Sequence, residues 1–309
     1  MEKYTEKKLK NQLLQTLVSK HVSEKTLERV KDCNTFLFMV GDKTMEKTKL
    51  HRSNNCENRF CPMCAWKKAR KNALKISILM QHLKESEDKE FLFLTLTAPN
   101  VKAEELNDEI KHYNQSFKRL MERKTVKQAV KGYVRKLEVT YNKERDDYHP
   151  HFHVILAVNK SYFTDKNYYI NRDKWLELWQ KSTKNSLITQ VDIRRVKHTD
   201  NKKEVSEIAK YSAKDSDYLQ DETVFDTFYN TLSGKRLIVY SGLFKTASKQ
   251  YENKELEHYK EIDPTHYIYK IFYHWGRTDY IQTEQKLMSE DMQKEVNNQM
   301  LDEEDFDEE

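Results

Sequence analysis

The segment FLFLTLTAPN, Phe91 to Asn100, constrains the fold more than any other stretch of the chain: aromatic, aliphatic and β-branched side chains fill both parities until Pro99 stops the run. A strand with apolar side chains on both faces cannot leave either to water, so it must lie inside a sheet that is covered on both sides. Such a strand needs neighbours. Tyr133 to Tyr141 and Phe152 to Val158 both have strand composition, and the polar stretch NKERDDYHP between them makes a hairpin signature. Phe36 to Val40 is a short apolar strand and Leu187 to Val196 another. Helical spacing marks two helices within 5–32, carrying Leu9, Leu13, Leu17 and then Leu27 and Val30. It marks further helices from Ala65 to Lys84, over 103–131 with Leu106, Ile110, Phe117 and Leu120 inward, from Asp173 to Lys181, and from Lys203 to Tyr218. Phe225 to Trp275, rich in aromatics, reads as a helix followed by short strands. Interspersed helices and strands with a hairpin predict an α+β fold: a central antiparallel sheet with flanking helices.

Charge narrows the function classes. With 34% charged residues, a mean hydropathy of -0.95 and no apolar run near the roughly 18 residues that cross a bilayer, a membrane-spanning chain is excluded and no membrane partner is expected. Met1 to Lys10 is polar and lysine-rich with no apolar stretch after it, which predicts a cytoplasmic protein. The net charge of +5 is uneven: Ser289 to Glu309 holds ten acidic residues against one lysine, a charge of -9, so the preceding 288 residues carry +14. A basic body of that size asks for a polyanion, and nucleic acid is the commonest. The acidic end reads as a disordered solubilising tail, or as a segment that competes with DNA for the basic surface.

HPHFHVIL, His149 to Leu156, puts His151 and His153 two residues apart on a strand, so both imidazoles leave the same face while Phe152 and Val154 leave the other. On the partner strand KLEVTY, Glu138 stands between Leu137 and Val139 and so on the face opposite theirs, where a hairpin can bring it beside the histidines. Two imidazoles and a carboxylate with open positions suit a catalytic Mg²⁺ or Mn²⁺. The competing reading is a pair of surface histidines, and the apolar flanks and the isolated carboxylate argue against it. His149 shares the parity but precedes Pro150, which assigns it to a loop.

In KKEVSEIAKYSAKDSDYL, Glu207, Tyr211 and Lys214 fall at i, i+4 and i+7 of the expected helix, a carboxylate, a phenol and an ammonium along one face. A tyrosine can attack a phosphodiester beside a metal, a lysine can steady the phosphate or the phenolate, and a glutamate one turn away can activate water against the phosphotyrosine. Such pairs also occur on ordinary solvated helices, so this face gains its meaning from the histidine strand. Tyr218, seven residues on, competes for the nucleophile's role.

Cys33, Cys56, Cys61 and Cys64 all precede residue 65. CPMC has the form of a zinc knuckle, and further thiolates would complete a structural Zn²⁺ site, with Cys33 or His51 as the fourth ligand. A thioredoxin-like redox pair is the alternative, but AWKKARK after CPMC gives no βαβ context. Lys67, Lys68, Arg70 and Lys71 on the following helix are candidates for DNA phosphates.

Taken in order, FLFLTLT, HPHFHVIL and EIAKY resemble the three motifs of the HUH endonucleases, in which a histidine pair flanks a hydrophobic residue and a tyrosine lies downstream on a helix. A single tyrosine with a glutamate four residues before it, together with RFCPMCAWKKARK and KYSAKDSDY, is similar to the replication initiators (Rep) of Gram-positive rolling-circle plasmids. The likeness spans about residues 28–220. It implies a ferredoxin-like palm on which Tyr211 nicks DNA, Glu207 serves terminating hydrolysis, and His151 with His153, joined less firmly by Glu138, holds the metal. It also implies origin DNA as the substrate, a UvrD-like host helicase as a partner and room for a homodimer. An HUH transposase or relaxase, or a non-catalytic zinc-containing DNA-binding regulator, is the rival reading. The expected organisation is a helical zinc-binding region over 1–85, a catalytic domain over 86–220, an extension over 221–288 and the acidic tail over 289–309.

Overall fold

A computed structural model describes residues 1–197, 201–210 and 212–304. Along the chain run α1 (Glu2–Val18), α2 (Glu24–Asp32), β1 (Phe36–Asp42), β2 (Thr48–Ser53), α3 (Pro62–Glu87), β3 (Lys89–Leu96), α4 (Ala103–Glu122), α5 (Lys124–Ala129), β4 (Val130–Asn142) and β5 (Asp147–Asn159). They are followed by α6 (Arg172–Thr183), β6 (Val191–Arg195), α7 (Lys202–Ala209), α8 (Asp215–Tyr218), α9 (Glu222–Leu232), β7 (Ile238–Gly242), α10 (Leu243–Glu252), β8 (Tyr267–Trp275), β9 (Tyr280–Leu287) and α11 (Glu290–Val296). The α+β expectation holds, and the described residues form two compact units.

One unit comprises Asn72–Tyr218 and Thr227–Tyr259. Its sheet runs β6-β3-β5-β4-β7, with each neighbouring pair antiparallel. The all-apolar strand lies inside it as β3, with Phe91 to Leu94 buried on alternating faces. On one face Phe91, Phe93, Val134 and Ile155 pack against Ala73, Ile76 and Leu83 of α3, Val205 and Ile208 of α7 and Phe244 of α10. On the other, Phe152 meets Tyr113 and Phe117 of α4, and Tyr113 meets Trp179 of α6, in edge-on ring contacts. Such a doubly covered antiparallel sheet accounts for the unbroken apolar pattern, since alternation appears only where one face meets water. β7 lies tight against β4: a Cβ on Gly242 would stand 2.3 Å from the Lys131 carbonyl oxygen, and its φ of +55° also favours glycine.

Two local expectations change in this unit. His149 is not in a loop but within β5, paired with Thr140. The continuous helix expected from Lys203 to Tyr218 is absent: α7 ends at Ala209, Lys210 takes ψ 171°, and a separate short helix starts at Asp215. Ser212 instead gives its carbonyl to the Val139 amide at 2.8 Å, and Asp217 accepts from the Tyr141 amide at 3.2 Å, so these two residues are drawn to β4. Glu207 therefore sits on a helix that Lys214 does not share.

The other unit joins Met1–Lys71 with Leu219–Asp226 and Lys260–Glu304. Its sheet, β2-β1-β8-β9, pairs β1 with β8 from Phe36 opposite His274 to Asp42 opposite Tyr267. The expected division into 1–85 and a C-terminal extension is thus corrected: residues beyond 260 complete the N-terminal unit, a long-range pairing that no local pattern announces. A disordered tail over 289–309 is corrected for residues 289–304, and its remaining residues lie outside the described ones. The Ser289 hydroxyl caps α11 by accepting from the Met292 amide, Glu290 and Asp291 favour the positive helix start, and Val296 and Met292 pack with Val40, Tyr267 and Met288. Beyond it, Asp302 and Glu303 pair with Lys71 and Arg70 at 3.4 and 2.9 Å. No helix among the described residues is long and apolar enough to cross a membrane.

Candidate metal centres and active site

Strand register assembles the first centre. β4 and β5 pair so that Glu138 stands opposite His151 and Lys136 opposite His153, while β3 sets Thr95 opposite His153. The ligand atoms of Glu138, His151 and His153 all lie within 4.8 Å of one another. The two histidine Nε2 atoms are 3.1 Å apart, and the Glu138 carboxylate comes within 3.5 Å of His153. Adjacent ligands of an octahedral ion with bonds of about 2.1 Å are separated by about 3.0 Å, so the histidine spacing fits a hard divalent cation. His151 Nδ1 donates to the His149 carbonyl at 3.1 Å, which leaves its Nε2 lone pair for a ligand, and the Thr95 hydroxyl 3.3 Å from His153 Nδ1 can accept a proton from that ring in the same tautomer.

Electrostatics prepare the same donors. Burial lowers the pKa of His151, and burial followed by the neighbouring His151 pulls His153 down to about 3, so both rings are neutral at pH 7. His149, stacked on His151 with ring centres 5.0 Å apart, is held at about 4 by the same causes. Burial alone would raise the Glu138 carboxyl; the Lys136 ammonium, then His151 and His153, overcome it and hold the group at about 2. Neutral imidazoles and an ionised carboxylate are the forms that bind a metal.

Lys136 was not singled out in the sequence, although its parity with Glu138 was the available signal. Its fully buried ammonium donates to Glu138 Oε2 at 2.7 Å and to the Glu207 carbonyl at 2.8 Å, tying the third candidate ligand to the end of α7. Removing one partner of a buried pair strands the other charge, so Lys136→Met is expected to destabilise folding by about 3 kcal/mol in urea titrations. Adding Glu138→Gln should recover most of that loss. If the double variant is no more stable than the single one, the pair does not act as a unit.

Glu207 reaches the centre from α7. Its carboxylate lies 3.7 Å from His153 Nε2 and 3.1 Å from the Lys210 ammonium. Tyr211, the candidate nucleophile, lies outside the described residues. Its competitor Tyr218 is buried, with its ring edge-on to Phe228.

The second centre closes in the other unit. Cys33, Cys56, Cys61 and Cys64 bring their sulfurs together, with Sγ separations of 3.5 to 3.7 Å for Cys33–Cys64, Cys33–Cys61 and Cys56–Cys64. A tetrahedral ion with Zn–S bonds of about 2.3 Å sets its ligands about 3.8 Å apart, so four thiolates at these distances can hold zinc. His51 is not among them; its ring stands edge-on to Phe38 at 4.8 Å. Hydrogen bonding from Cys56, Cys61 and Cys64 holds the Cys33 thiol far below its usual range, while contact with Cys33 and the other two pushes Cys61 up. A divalent cation would favour the thiolate form of all four. Surrounding donors already favour thiolate, with Asn34 Nδ2 3.2 Å and the Cys56 amide 3.4 Å from Cys33 Sγ, and Asn11 Nδ2 3.4 Å from Cys61 Sγ.

This cluster redirects its neighbourhood. In α1 the buried side is Lys7, Lys8, Asn11, Leu14 and Val18, whereas Leu9 and Leu13 are exposed, the reverse of the leucine spacing. The Lys8 ammonium is drawn in to donate to the Cys33 carbonyl and to Asn11 Oδ1. The expected phosphate-binding row on α3 is not a common face either. Lys67 turns inward to Ser53 at 2.7 Å and Asn55 at 3.1 Å, with burial lowering its pKa to about 8; Arg70 faces Glu303 and Lys71 Asp302, and Lys68 is exposed.

Residues 47–281 match the family model described as replication protein. A "Protein rep" of Staphylococcus aureus is 60% identical over 219 residues, covering 71% of this chain and 95% of that one. Proteins of the same name from Bacillus amyloliquefaciens and Streptococcus pneumoniae are 37% and 36% identical, over 73% and 76% of this chain and 73% and 74% of theirs. No solved structure matches the chain significantly.

Proposed function

The chain belongs to the replication protein family, and on that premise we propose that it initiates rolling-circle replication of a plasmid by nicking one strand at the double-strand origin. The observation that carries this reading is the convergence of Glu138, His151 and His153, with the Glu207 carboxylate 3.7 Å from His153 and four residues before Tyr211 in the sequence. In the proposed reaction the Tyr211 phenol gives up its proton and its oxygen attacks the scissile phosphorus. The bond to the 3′ oxygen breaks, that oxygen takes a proton to become the free 3′ hydroxyl that primes synthesis, and the 5′ phosphate remains on Tyr211. One phosphodiester link replaces another, so no nucleotide cofactor is consumed. Mg²⁺ or Mn²⁺ held by Glu138, His151 and His153 would neutralise charge at the phosphate. Lys214 is assigned to the phosphate or the phenolate. After a second nick closes the round, Glu207 takes a proton from water so that it can hydrolyse the phosphotyrosine.

Origin DNA, as a single-stranded or cruciform nick site with flanking duplex, is the proposed substrate, with Lys68 and Lys71 as candidate contacts, a UvrD-like host helicase unwinding ahead of synthesis and a homodimer as the assembly. The Cys33, Cys56, Cys61 and Cys64 site is proposed to hold structural Zn²⁺. Replication, rather than the work of a transposase or relaxase, follows from the family. A purely DNA-binding regulator would form no covalent adduct, and that separates it from the enzyme.

Incubation with single-stranded origin DNA and Mn²⁺ or Mg²⁺ should yield a protein–DNA adduct. His151→Ala and His153→Ala are each expected to lower its formation by at least about 10³-fold, while duplex binding, which rests on distributed positive charge, stays within about threefold. A double variant that still nicks in EDTA would exclude the metal reading.

A further inference from the structure

On the sheet face opposite the histidines, Arg135 is 7% exposed and makes no ion pair or hydrogen bond with the described residues; its Nε is buried without an acceptor. Its guanidinium carbon lies 4.9 Å from the Phe117 ring centre and 4.3 Å from that of Phe152. Ring contacts of this kind offset part of the lost hydration of a cation, yet they give the buried Nε–H nothing to donate to. Burial draws the Arg135 pKa down to about 10, in keeping with a charge the protein itself does not neutralise. An unpaired buried guanidinium calls for an anion from outside.

Arg135 lines a cavity of about 450 Å³, within the roughly 300–1,000 Å³ of small-ligand sites, beside the edge strand β7. Lys127 and Lys118 share the cavity, and Lys118 is 3.9 Å from the only acidic liner, Glu122. Tyr133, edge-on to Phe117 at 5.1 Å, supplies an aromatic wall. Cations beside aromatic surface are the pairing that recognises a phosphate together with its base. We propose that this cavity binds one nucleotide unit, its phosphate on Arg135 and Lys127 and its base against Tyr133. The inference rests on the DNA-binding reading for its source, a single strand engaged by the protein, with a free nucleotide as the other source of the same chemistry.

The test uses the full-length protein and a fluorescent twelve-residue oligothymidylate, with anisotropy read across salt concentrations. Arg135→Met keeps the volume between the two phenylalanines and removes the charge. It is expected to unfold at the same or a higher temperature, to bind the oligonucleotide about tenfold more weakly, and to show a salt slope smaller by about one, the signature of one lost phosphate contact. Lys127→Gln, on the exposed rim, should weaken binding severalfold with the same change of slope, and it carries the test if the Arg135 variant does not fold. Calorimetry with thymidine monophosphate separates the sources: saturable binding by the parent protein that Arg135→Met removes assigns the free nucleotide, and its absence beside oligonucleotide binding assigns the strand. Variants that match the parent in affinity and slope for both probes overturn the inference. A parent protein that binds no DNA and forms no adduct would instead overturn the nicking reading.

Discussion

Tyr211→Phe is expected to eliminate the covalent protein–DNA adduct and to cut the rate of nicking by 10⁴-fold or more, on the order of the losses that follow removal of a catalytic nucleophile. The ring is kept and only the attacking oxygen goes, so duplex affinity and thermal stability should match the parent protein. Glu207→Ala should fail at a different step. A phenol and a metal-bound phosphate remain, so nicking is expected within about threefold of the parent, while hydrolytic release of the phosphotyrosine slows about 100-fold and the 5′-linked complex accumulates. Gel analysis of the labelled adduct over time reads both effects. An adduct formed by Tyr211→Phe but not by Tyr218→Phe would move the nucleophile to a residue that the fold buries against Phe228. Release at the parent rate by Glu207→Ala would remove that residue from termination.

Loss of the cysteine site should have the largest effect on folding. Structural zinc contributes about 10–16 kcal/mol to small zinc-dependent folds, against a net stability of about 5–15 kcal/mol for a typical domain. Cys61 is fully buried just before α3, with its sulfur 3.7 Å from that of Cys33. Cys61→Ser is therefore expected to yield protein without zinc and with the unit built around β1 and β8 unfolded. Metal analysis of parent protein prepared without chelator should give about one equivalent. Less than about half an equivalent, or a Cys61→Ser variant whose melting matches the parent, would set the site aside.

The strand at Phe91, the hairpin that carries Glu138, His151 and His153, and the cysteine cluster were all legible in the sequence, because each is specified locally. Parity on a strand sets the face of a side chain, alternation or its absence reports covering layers, and close cysteine spacing limits where thiols can meet. Cys33 is the intermediate case: it lies twenty-three residues before Cys56, and only the folded chain selects it over His51.

Other features depended on partners distant in sequence. Helical spacing gave α1 a leucine face, but the Cys33 carbonyl and the Cys61 sulfur offer Lys8 and Asn11 hydrogen bonds that outweigh burial of Leu9 and Leu13. The acidic end reads as a solvated tail until Met292 and Val296 find Val40 and Tyr267, and Glu303 finds Arg70. The periodicity from Lys203 to Tyr218 predicts one helix, yet an amide on β4 takes the Ser212 carbonyl and the helix stops at Ala209. Side-chain parity and cysteine spacing are properties of the chain alone. Which buried donor meets which acceptor is settled only when distant segments pack, because a polar group removed from water must be satisfied by whatever the tertiary structure brings within reach.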